Sequence, residues 1–260
     1  MGNAGILTGR PTVRPARTVD AFDIDGLLDD AVWRNAVRVT EFIQQNPVDG
    51  APASEETDVF LADDDNLYLG FHARYSNPGI MRANRVDRDR AGFGDDTISV
   101  YFDTFLDQQR AYVFSVNGYG VQGDSIVGGS GGGGRGGFRG GGRGGIPFGD
   151  SSWDALYDSA GTPVDDGFTA EMAIPFKSLR YPARGGGAPH TWGFQIVRRI
   201  RGKDETVVWS PVSRDVAGFL PQMGVLDGMT GLSTSRNLEI QPTFTAFQFG
   251  KLDEDLGRVV

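Results

Sequence analysis

The stretch Ile24-Asp25-Gly26-Leu27-Leu28-Asp29-Asp30-Ala31-Val32-Trp33 combines a tight turn, a helix start and a large aromatic side chain. Gly26 is suited to the positive φ that such a turn needs. Asp29 can accept hydrogen bonds from the free N–H groups of a short helix, a cap worth about 1 kcal/mol. Trp33 then falls on the inner face of that helix. The stretch therefore predicts where the folded domain begins.

The overall composition limits the classes of function. The 260 residues are 39% hydrophobic and 23% charged, which is ordinary for a soluble globular protein with a sizeable core. The net charge of −9 disfavours nucleic acid or an anionic membrane surface as a partner. Because there are no cysteines, disulfides, thiol catalysis and thiolate metal sites are excluded.

The N-terminal segment, residues 1–18, is rich in Gly, Pro and Arg without periodicity and predicts a leader or linker. No run of eighteen apolar residues occurs, so no transmembrane helix is expected. Residues 1–19 lack an apolar h-region, so no secretory signal peptide is predicted in this chain. Either the protein is cytoplasmic or the chain lacks its leader.

Alternation of apolar and polar residues dominates the chain from Val19 onward. The segments 57–62 and 66–73, separated by an acidic turn, predict a hairpin, and 97–105 with 111–117 predict a second one. Further strands are predicted at 155–159, 167–174, 191–201 and 205–210. Helical periodicity is confined to 30–38 and a turn at 176–179. We expect an all-β fold, an antiparallel β-sandwich of jelly-roll type with one short N-terminal helix.

A glycine-rich segment, residues 128–145, contains thirteen glycines, three arginines, one serine and one phenylalanine. Such a stretch cannot offset its ordering entropy by burial, so we expect a mobile loop inserted between strands. Its Arg-Gly-Gly units resemble single-stranded RNA-binding tails. The segment is short and the rest of the chain is acidic, so nucleic acid is not expected as a partner.

Several short motifs resemble catalytic or cofactor-binding sites, but the residues around them do not support that function. The segment 118–123 satisfies G-x-G-x-x-G, but a glycine run follows it rather than a helix, so we interpret it as a turn. His72 and His190 are isolated, which argues against a histidine metal site or a Ser-His-Asp triad. Composition does not exclude glycoside hydrolysis by paired carboxylates, but nothing singles out a pair. We therefore do not expect an enzyme.

Acidic turns are the candidate metal sites. Asp63-Asp64-Asp65-Asn66 and Asp95-Asp96 could supply hard oxygen ligands to calcium, although neither has the spacing of an EF-hand. Acidic turns are more often simply solvated. Asp95 and Asp96 are the candidate calcium ligands, and no other cofactor is predicted.

Carbohydrate sites need flat aromatic faces for the apolar face of a sugar and planar polar groups for its hydroxyls. Trp209 is the best candidate for such a face, because Glu205 and Thr206 precede it closely and Arg198, Arg199 and Arg201 lie nearby in the chain. Burial in the core is the alternative interpretation of a strand tryptophan.

Four motifs follow one another between Val19 and about Gly231: Ile24-Asp25-Gly26-x-Leu28-Asp29-Asp30-x-x-Trp33, Asp64-Asp65-x-Leu67-Tyr68-Leu69, Gly94-Asp95-Asp96-x-Ile98, and Glu171-Met172-Ala173-Ile174-Pro175-Phe176-x-x-Leu179. In this order they resemble the family 9 carbohydrate-binding modules. The resemblance implies a β-sandwich, residues 19–231, that binds sugars, commonly at chain ends. It also implies that structural calcium and attachment to glycan-degrading enzymes are frequent.

A finer resemblance concerns bacterial envelope proteins. Phe42-x-Gln44-x-x-Pro47-x-x-Gly50 and Ser152-Trp153-Asp154-Ala155 resemble a subgroup in which this module precedes an outer-membrane β-barrel region of unknown function. Residues 236–260 resemble the start of that barrel, and alternation over 238–249 suits its first strand. The resemblance implies a cell-envelope or extracellular location, with membrane contact only through a barrel that this chain does not include.

The sugar-binding residues of the family transfer poorly to this sequence, so the resemblance implies the fold more strongly than the site. Sugar-binding members sandwich the ring between two tryptophans and hydrogen-bond it with Glu, Arg and Asn side chains. Trp209 aligns with one tryptophan, Phe93 stands near the other, and three small side chains stand at the Glu, Arg and Asn positions: Ser99, Ser115 and Thr206. Each lost hydrogen bond weakens binding by about 1 kcal/mol or more. The predicted ligand-binding residues are Trp209, Phe93, Arg85, Arg198 and Glu205.

Three functional hypotheses follow. The first is a non-catalytic carbohydrate-binding module of a bacterial cell-envelope protein, binding an oligo- or polysaccharide by stacking on aromatic rings. The second is a structural or assembly protein whose C-terminal strand, within 236–260, pairs with the sheet of a neighbouring copy, since strand addition needs only an unpaired strand. The third is an accessory domain of a glycan-degrading enzyme.

Overall fold

A computed structural model describes residues 9–20, 22–90, 94–128, 145–232, 252–253 and 258–259. In chain order its helix and strands are β1 (Thr12–Val13), β2 (Ala16–Arg17), α1 (Ala31–Asn35), β3 (Val37–Val39), β4 (Ile43–Asn46), β5 (Thr57–Asp63), β6 (Asn66–Arg74), β7 (Thr97–Asp103), β8 (Arg110–Asn117), β9 (Gln122–Gly128), β10 (Asp158–Val164), β11 (Gly167–Pro175), β12 (His190–Ile200), β13 (Glu205–Val208), β14 (Gly224–Met229), β15 (Leu252–Asp253) and β16 (Arg258–Val259). Within these ranges no helix is long and apolar enough to cross a membrane.

Two sheets pack face to face. The eight-stranded sheet has the order β1-β14-β12-β7-β8-β9, with β13 beside β12 and β4 beside β13. The six-stranded sheet has the order β10-β11-β6-β5-β2, and β3 also pairs with β5. Pairing is antiparallel except for the short contacts β1–β14 and β2–β5. The prediction of an all-β, antiparallel β-sandwich with one short N-terminal helix is confirmed.

The main core lies between the two sheets. Alternate residues of β12 face it, so Trp192, Phe194 and Ile196 are at most 1% exposed. Leu69 and Phe71 of β6 face them from the other sheet with no exposed surface. Each such side chain contributes roughly 1.5–3 kcal/mol through burial. The alternation fixes which residues of each strand point away from the core.

A second, smaller core covers part of the outer face of the eight-stranded sheet. Residues 211–223 cross this face and place Phe219 against the ring of Tyr101 at 4.9 Å. Val197 and Val208, which also point outward, are buried beneath the same segment. The cover does not extend across the β9 edge, and a cleft opens there.

The opening stretch covers the outer face of the six-stranded sheet. Trp33 of α1 is 4% exposed and packs with Phe22, whose ring centroid lies 5.5 Å away. The N-cap is Asp30, which makes no side-chain hydrogen bond, so the prediction that Asp29 caps the helix is wrong. The packing of Trp33, rather than a polar cap, holds this five-residue helix in place.

Glu171 of β11 ties the first and last of the four motifs together. Its Oε2 accepts hydrogen bonds from the backbone N–H of Asp25 at 2.9 Å and of Gly26 at 2.7 Å, and its Oε1 accepts from Trp33 Nε1 at 2.7 Å. Burial raises the pKa of Glu171, and these three hydrogen bonds oppose the rise. The carboxylate is fully buried and has a donor for each oxygen, which identifies it as a structural group.

Three glycines allow three segments to touch through their backbones. Gly26 has φ of +89°, and a Cβ added there would lie 2.8 Å from the nitrogen of Gly161 in β10. A Cβ on Gly120, in the turn between β8 and β9, would lie 2.6 Å from the carbonyl carbon of Ala160. The turn motif at 118–123 is therefore a close backbone contact, which matches its interpretation as a turn.

Several boundaries differ from the prediction. The segment predicted as a leader or linker, residues 1–18, contributes β1 and β2, which are too short to show alternation. The strand predicted at 155–159 is β10, which begins three residues later and contains Gly161 and Pro163. Most of the glycine-rich insertion, residues 129–144, and the barrel-like strand predicted at 238–249 lie outside the described residues. Further along that tail, β15 pairs with β16.

Candidate functional site

Two of the predicted sugar-binding residues lie in the interior. Arg198 has no exposed surface, and its terminal nitrogens donate to the carbonyls of Glu56 and Arg74, each at 2.7 Å, and to the hydroxyl of Thr57 at 2.9 Å. Glu205 is 4% exposed and accepts hydrogen bonds from the backbone N–H and hydroxyl of Ser54. The structure thus places both side chains in structural contacts.

The remaining predicted residues are not brought together either. Trp209 is half-buried against Phe194, with ring centroids 5.6 Å apart, and lines a cavity of about 470 Å³ between β1 and β3. The guanidinium of Arg85 lies over the ring of Tyr119 at 4.7 Å, on the exposed surface. Phe93 lies outside the described residues. The structure therefore assembles no single pocket from the predicted set.

The candidate calcium ligands Asp95 and Asp96 are surrounded by hydrogen-bond donors. Asp95 accepts from the backbone and side chain of Asn84 and, at 2.8 Å, from Asn117 Nδ2. Asp96 accepts from the hydroxyl of Tyr75 at 2.8 Å and from two backbone N–H groups. Oxygens that already accept from N–H and O–H groups are poor ligands for a cation. Both carboxylates fit a structural role better than a calcium site.

The outer face of the eight-stranded sheet carries a cleft near β9, which we call the outer-face cleft. Its floor follows from the strand register, because Ser99 of β7 lies opposite Ser115 of β8, which lies opposite Gly123 of β9. Three small residues side by side leave a trough between rows of larger side chains. Ser99 and Ser115 are two of the positions at which the family resemblance places polar sugar contacts.

The walls of the outer-face cleft come from a neighbouring strand and from two loops. Arg199 of β12 lies directly opposite Thr97 of β7, and Phe148 and Asp89 line the cleft from the segments that flank β9. The cleft has a volume of about 130 Å³. A cavity of roughly 150 Å³ admits a benzene ring, so the cleft has room for about one six-membered ring.

Hydroxyl groups on the floor are available for a ligand. Thr97 and Ser99 are 4% and 3% exposed, and within the described part of the chain neither hydroxyl has a hydrogen-bond partner. The neighbouring hydroxyls of Ser115 and Ser125 donate to the carbonyls of Gly123 and Phe148. Among the described residues the fully buried polar side-chain atoms without a partner are Trp192 Nε1 and Arg198 Nε, so the hydroxyls of Thr97 and Ser99 reach the surface of the cleft, where a polar ligand or water can bind them.

Arg199 is the charged group of the wall. It is 7% exposed, and its guanidinium lies over the ring of Phe148 at 4.4 Å. Burial raises the pKa of the nearby Tyr101 hydroxyl, and the charge of Arg199 opposes that rise. Among the described residues, no carboxylate lies within 4.0 Å of this guanidinium.

The acidic side of the cleft is held by Arg88. Oxygens of Asp89, Asp124 and Asp154 lie within 4.8 Å of one another. Asp124 accepts from Arg88 Nε and Nη2 and from the backbone N–H of Ala155, and Asp89 accepts from the backbone N–H of Asp124. The guanidinium of Arg88 already supplies positive charge to this cluster. The three aspartates therefore fit a structural cluster better than a metal centre.

Sequence reasoning missed three residues of the cleft, and the signal differs among them. Arg199 could have been found, because the apolar residues Trp192, Phe194 and Ile196 fix the buried face of β12 and so place Arg199 on the other face. Phe148 and Asp89 are loop residues whose positions no periodicity reveals. Asp89 also has a left-handed backbone conformation, with φ of 65°, which no pattern in the sequence indicates.

Comparisons with known proteins bear on the fold. No protein-family model and no curated protein matches the chain. It is similar to a family 9 carbohydrate-binding module from Caldicellulosiruptor kristjanssonii, solved in complex with cellotriose (TM-score 0.53, 15% identity) and with glucose (0.53, 14%), over 89% of this chain and 100% of that one.

A further similar structure is a candidate carbohydrate-binding protein from Bacteroides uniformis ATCC 8492, with a TM-score of 0.61 and 12% identity over 84% of this chain and 99% of that one. At such identities the likeness concerns the fold. The chain has the β-sandwich fold seen in family 9 carbohydrate-binding modules.

Proposed function

We propose that this protein is a non-catalytic carbohydrate-binding domain and that a single sugar residue occupies the outer-face cleft. The observation that carries the proposal is the trough of small polar side chains across β7, β8 and β9, with the unpaired hydroxyls of Thr97 and Ser99 in it. A pyranose presents hydroxyls on its edge, which such groups can bind as donors and acceptors.

The cleft offers the mixture of groups that a sugar requires. Asp89 can accept hydrogen bonds from sugar hydroxyls, and Arg199 can donate to them. Phe148 supplies apolar ring surface at the same wall and is 48% exposed. The volume of about 130 Å³ admits one ring rather than a chain, so we expect a terminal residue of a glycan to bind.

The acidic groups in the cleft support binding rather than hydrolysis. Glycosidases use two carboxyl groups of which one stays free to donate a proton and the other attacks or activates water. Here both oxygens of Asp124 accept hydrogen bonds from N–H groups, and Asp89 is held by the backbone of Asp124. We therefore expect no release of aryl alcohol from a panel of aryl glycosides.

Isothermal titration of the full chain with mono- and oligosaccharides tests the proposal. We expect binding at millimolar or lower sugar concentration, and binding should be lost in Ser99→Leu because the added side chain fills the trough. Absence of binding to every sugar of the panel would overturn the proposal. The unfolding midpoint of the variant, measured in parallel, shows whether the domain is still folded.

Trp209→Ala provides the matched control for position. Trp209 lines the other cavity, on the far side of the sheet from the outer-face cleft, so this variant should keep its affinity. If Trp209→Ala loses binding while Ser99→Leu keeps it, the sugar binds beside Trp209, the aromatic residue that the sequence predicted. Amide chemical shifts of Ser99, Gly123 and Arg199 during a titration locate the ligand without any substitution.

We further propose that the domain works in the bacterial cell envelope. The support is the resemblance of residues 236–260 to the start of an outer-membrane barrel region. Fractionation of the bacterium that encodes the protein, followed with an antibody against the sandwich, should recover it in the envelope or outside the cell. Recovery in the cytosol alone would contradict this location.

A further inference from the structure

We infer that the outer-face cleft selects a sugar that carries an acidic substituent, a carboxylate or a sulfate, and that this anionic group binds to Arg199. The inference deepens the proposed function and rests on it. It starts from a difference between two charged residues of the cleft: Asp124 is paired with Arg88, whereas among the described residues no carboxylate lies within 4.0 Å of the guanidinium of Arg199.

Asp124, the buried carboxylate on the acidic side of the cleft, is paired within the protein. Arg88 donates to Asp124 through two nitrogens and contacts the main-chain carbonyl of Ala155 as well. Burial lowers the pKa of Arg88, but the hydrogen bond to Asp124 and the negative charges of Asp124 and Asp89 outweigh this effect. The net pKa of Arg88 is therefore raised. Asp124 is thus occupied by protein donors, and Asp89, which accepts from the backbone N–H of Asp124, faces the cleft.

The basic side of the cleft lacks such a partner. Arg199 is almost fully buried, and its described neighbours are the neutral ring of Phe148 and the hydroxyl of Tyr101. A buried charge is strongly unfavourable unless it is paired. A ligand anion in the cleft supplies the missing charge, and a guanidinium binds planar carboxylates and sulfates through paired hydrogen bonds.

The hydroxyls next to Arg199 complete the anion site. Thr97 lies directly opposite Arg199 in the sheet, and Ser99 lies two residues along the same strand on the same face. Both hydroxyls are without a partner within the described ranges. One guanidinium and two hydroxyls can together donate to the oxygens of a carboxylate while the ring of the sugar occupies the trough over Gly123.

Other features of the molecule are less informative. The cavity beside Trp209 is bounded by Arg14 and Arg38, but both are paired with aspartates, Asp227 and Asp58. Their counter-charges are complete, so that cavity shows no preference for a charged ligand.

Titration calorimetry with three methyl glycosides of one stereochemistry tests the inference: the neutral glucoside, the glucuronide and the glucoside 6-sulfate. We expect at least one acidic glycoside to bind about tenfold more tightly than the neutral one, as charge-assisted hydrogen bonds imply. The preference should disappear in Arg199→Gln and persist in part in Arg199→Lys. Free acetate and sulfate, without a sugar ring, should bind more weakly than the acidic glycosides.

The outcomes separate the two levels of the proposal. Equal affinities for neutral and acidic glycosides would overturn the inference while the proposed function stands. No binding of any glycoside would overturn both. A preference for acidic glycosides that survives in Arg199→Gln would show that the anion binds to another group, which overturns the inference. Arg34→Gln, on α1 at the opposite face of the sandwich, controls for the change in net charge.

Discussion

Arg198 and Arg199 are consecutive residues of one strand, and their environments differ in every respect that matters for function. Arg198 points into the core, donates to three protein oxygens and lies over the ring of Tyr75 at 4.5 Å. Arg199 points into the outer-face cleft, lies over the ring of Phe148, and has no carboxylate within 4.0 Å of its guanidinium among the described residues. The same residue type thus serves the scaffold at one position and is left for a ligand at the next.

The difference shows that the number of protein hydrogen bonds, rather than residue type, distinguishes these two arginines, although Nε of Arg198 is itself buried without a partner. Glu171, Asp95 and Asp96 are all buried carboxylates in the recognised motifs, and all have N–H donors at both oxygens. Of the groups in the outer-face cleft that lack partners, Ser99 and Arg199 lie outside the motifs, and Thr97 is the unspecified position of the third motif. The motifs therefore identify the sandwich, and the site lies at positions that they do not specify.

The largest expected effect concerns the two arginines themselves. Arg198→Met should lower the free energy of unfolding by about 3 kcal/mol or more, because three buried acceptors lose their donor and each costs about 1–3 kcal/mol when unsatisfied. Arg199→Met should change it by less than about 1 kcal/mol, since an unpaired buried charge is replaced by an apolar group of similar length. Urea denaturation of both variants measures the two values.

A large loss of stability in Arg199→Met, equal to that in Arg198→Met, would break the comparison. It would mean that Arg199 has structural contacts as important as those of its neighbour. The inference that Arg199 binds an anionic sugar would then lose its main argument. Calorimetry with Arg199→Lys would show whether the preference for acidic glycosides still depends on the charge at this position.

A smaller effect is expected at the junction of the first and last motifs. Glu171→Gln keeps the shape of the side chain but turns one acceptor oxygen into a donor that faces N–H groups. We expect a loss of about 1–3 kcal/mol, the cost of leaving a buried donor unsatisfied. Tryptophan fluorescence should report the change directly, because Trp33 Nε1 bonds to this carboxylate. Asp87→Asn, at a mostly exposed side chain, is the control.

The smallest effect is a pH dependence on the outer face of the six-stranded sheet. Burial raises the pKa of Asp58, but hydrogen bonds from Arg74 and Arg38 outweigh it and the net pKa is lowered from 3.8. The folded protein therefore binds this proton less tightly than the unfolded chain. The stability from Asp58 is complete above the unfolded pKa and is lost as pH falls through the folded one.

Thermal unfolding between pH 2 and pH 7 checks this sign. The difference in Tm between the native protein and Asp58→Asn should be largest near neutral pH and should shrink below about pH 4. A difference that grows on acidification would show that the arginines do not stabilise the charged form. Binding at the outer-face cleft should be unaffected, since Asp58 lies on the other sheet.

The fold was largely predictable because its central strands alternate cleanly. The segments that became β5, β6, β7 and β8 each combine alternation with β-branched or aromatic residues, and their boundaries deviate by about one or two residues. The prediction places β10 too early in the chain, because Gly161 and Pro163 have a low propensity for strands. β1 and β2 have two residues each, which is too few for any period to appear.

The candidate site was less predictable for two physical reasons. Trp209 and Arg198 are close in the chain, but Arg198 has no exposed surface and Trp209 packs against Phe194 of the core, and closeness in sequence does not show which side chains reach a common pocket. The trough itself depends on the register of three strands that are far apart in sequence, since Ser99, Ser115 and Gly123 meet only through pairing. A single sequence contains no direct record of that register.

The contact among Gly26, Gly120 and Gly161 has a consequence for how this chain can change over generations. Gly161 occupies the space that a Cβ on Gly26 or on Gly120 would need, and Gly120 occupies the space that a Cβ on Gly161 would need. A mutation at one of these positions therefore changes which residues are tolerated at the position packed against it, so substitutions in the descent of this chain should be coupled within each contacting pair.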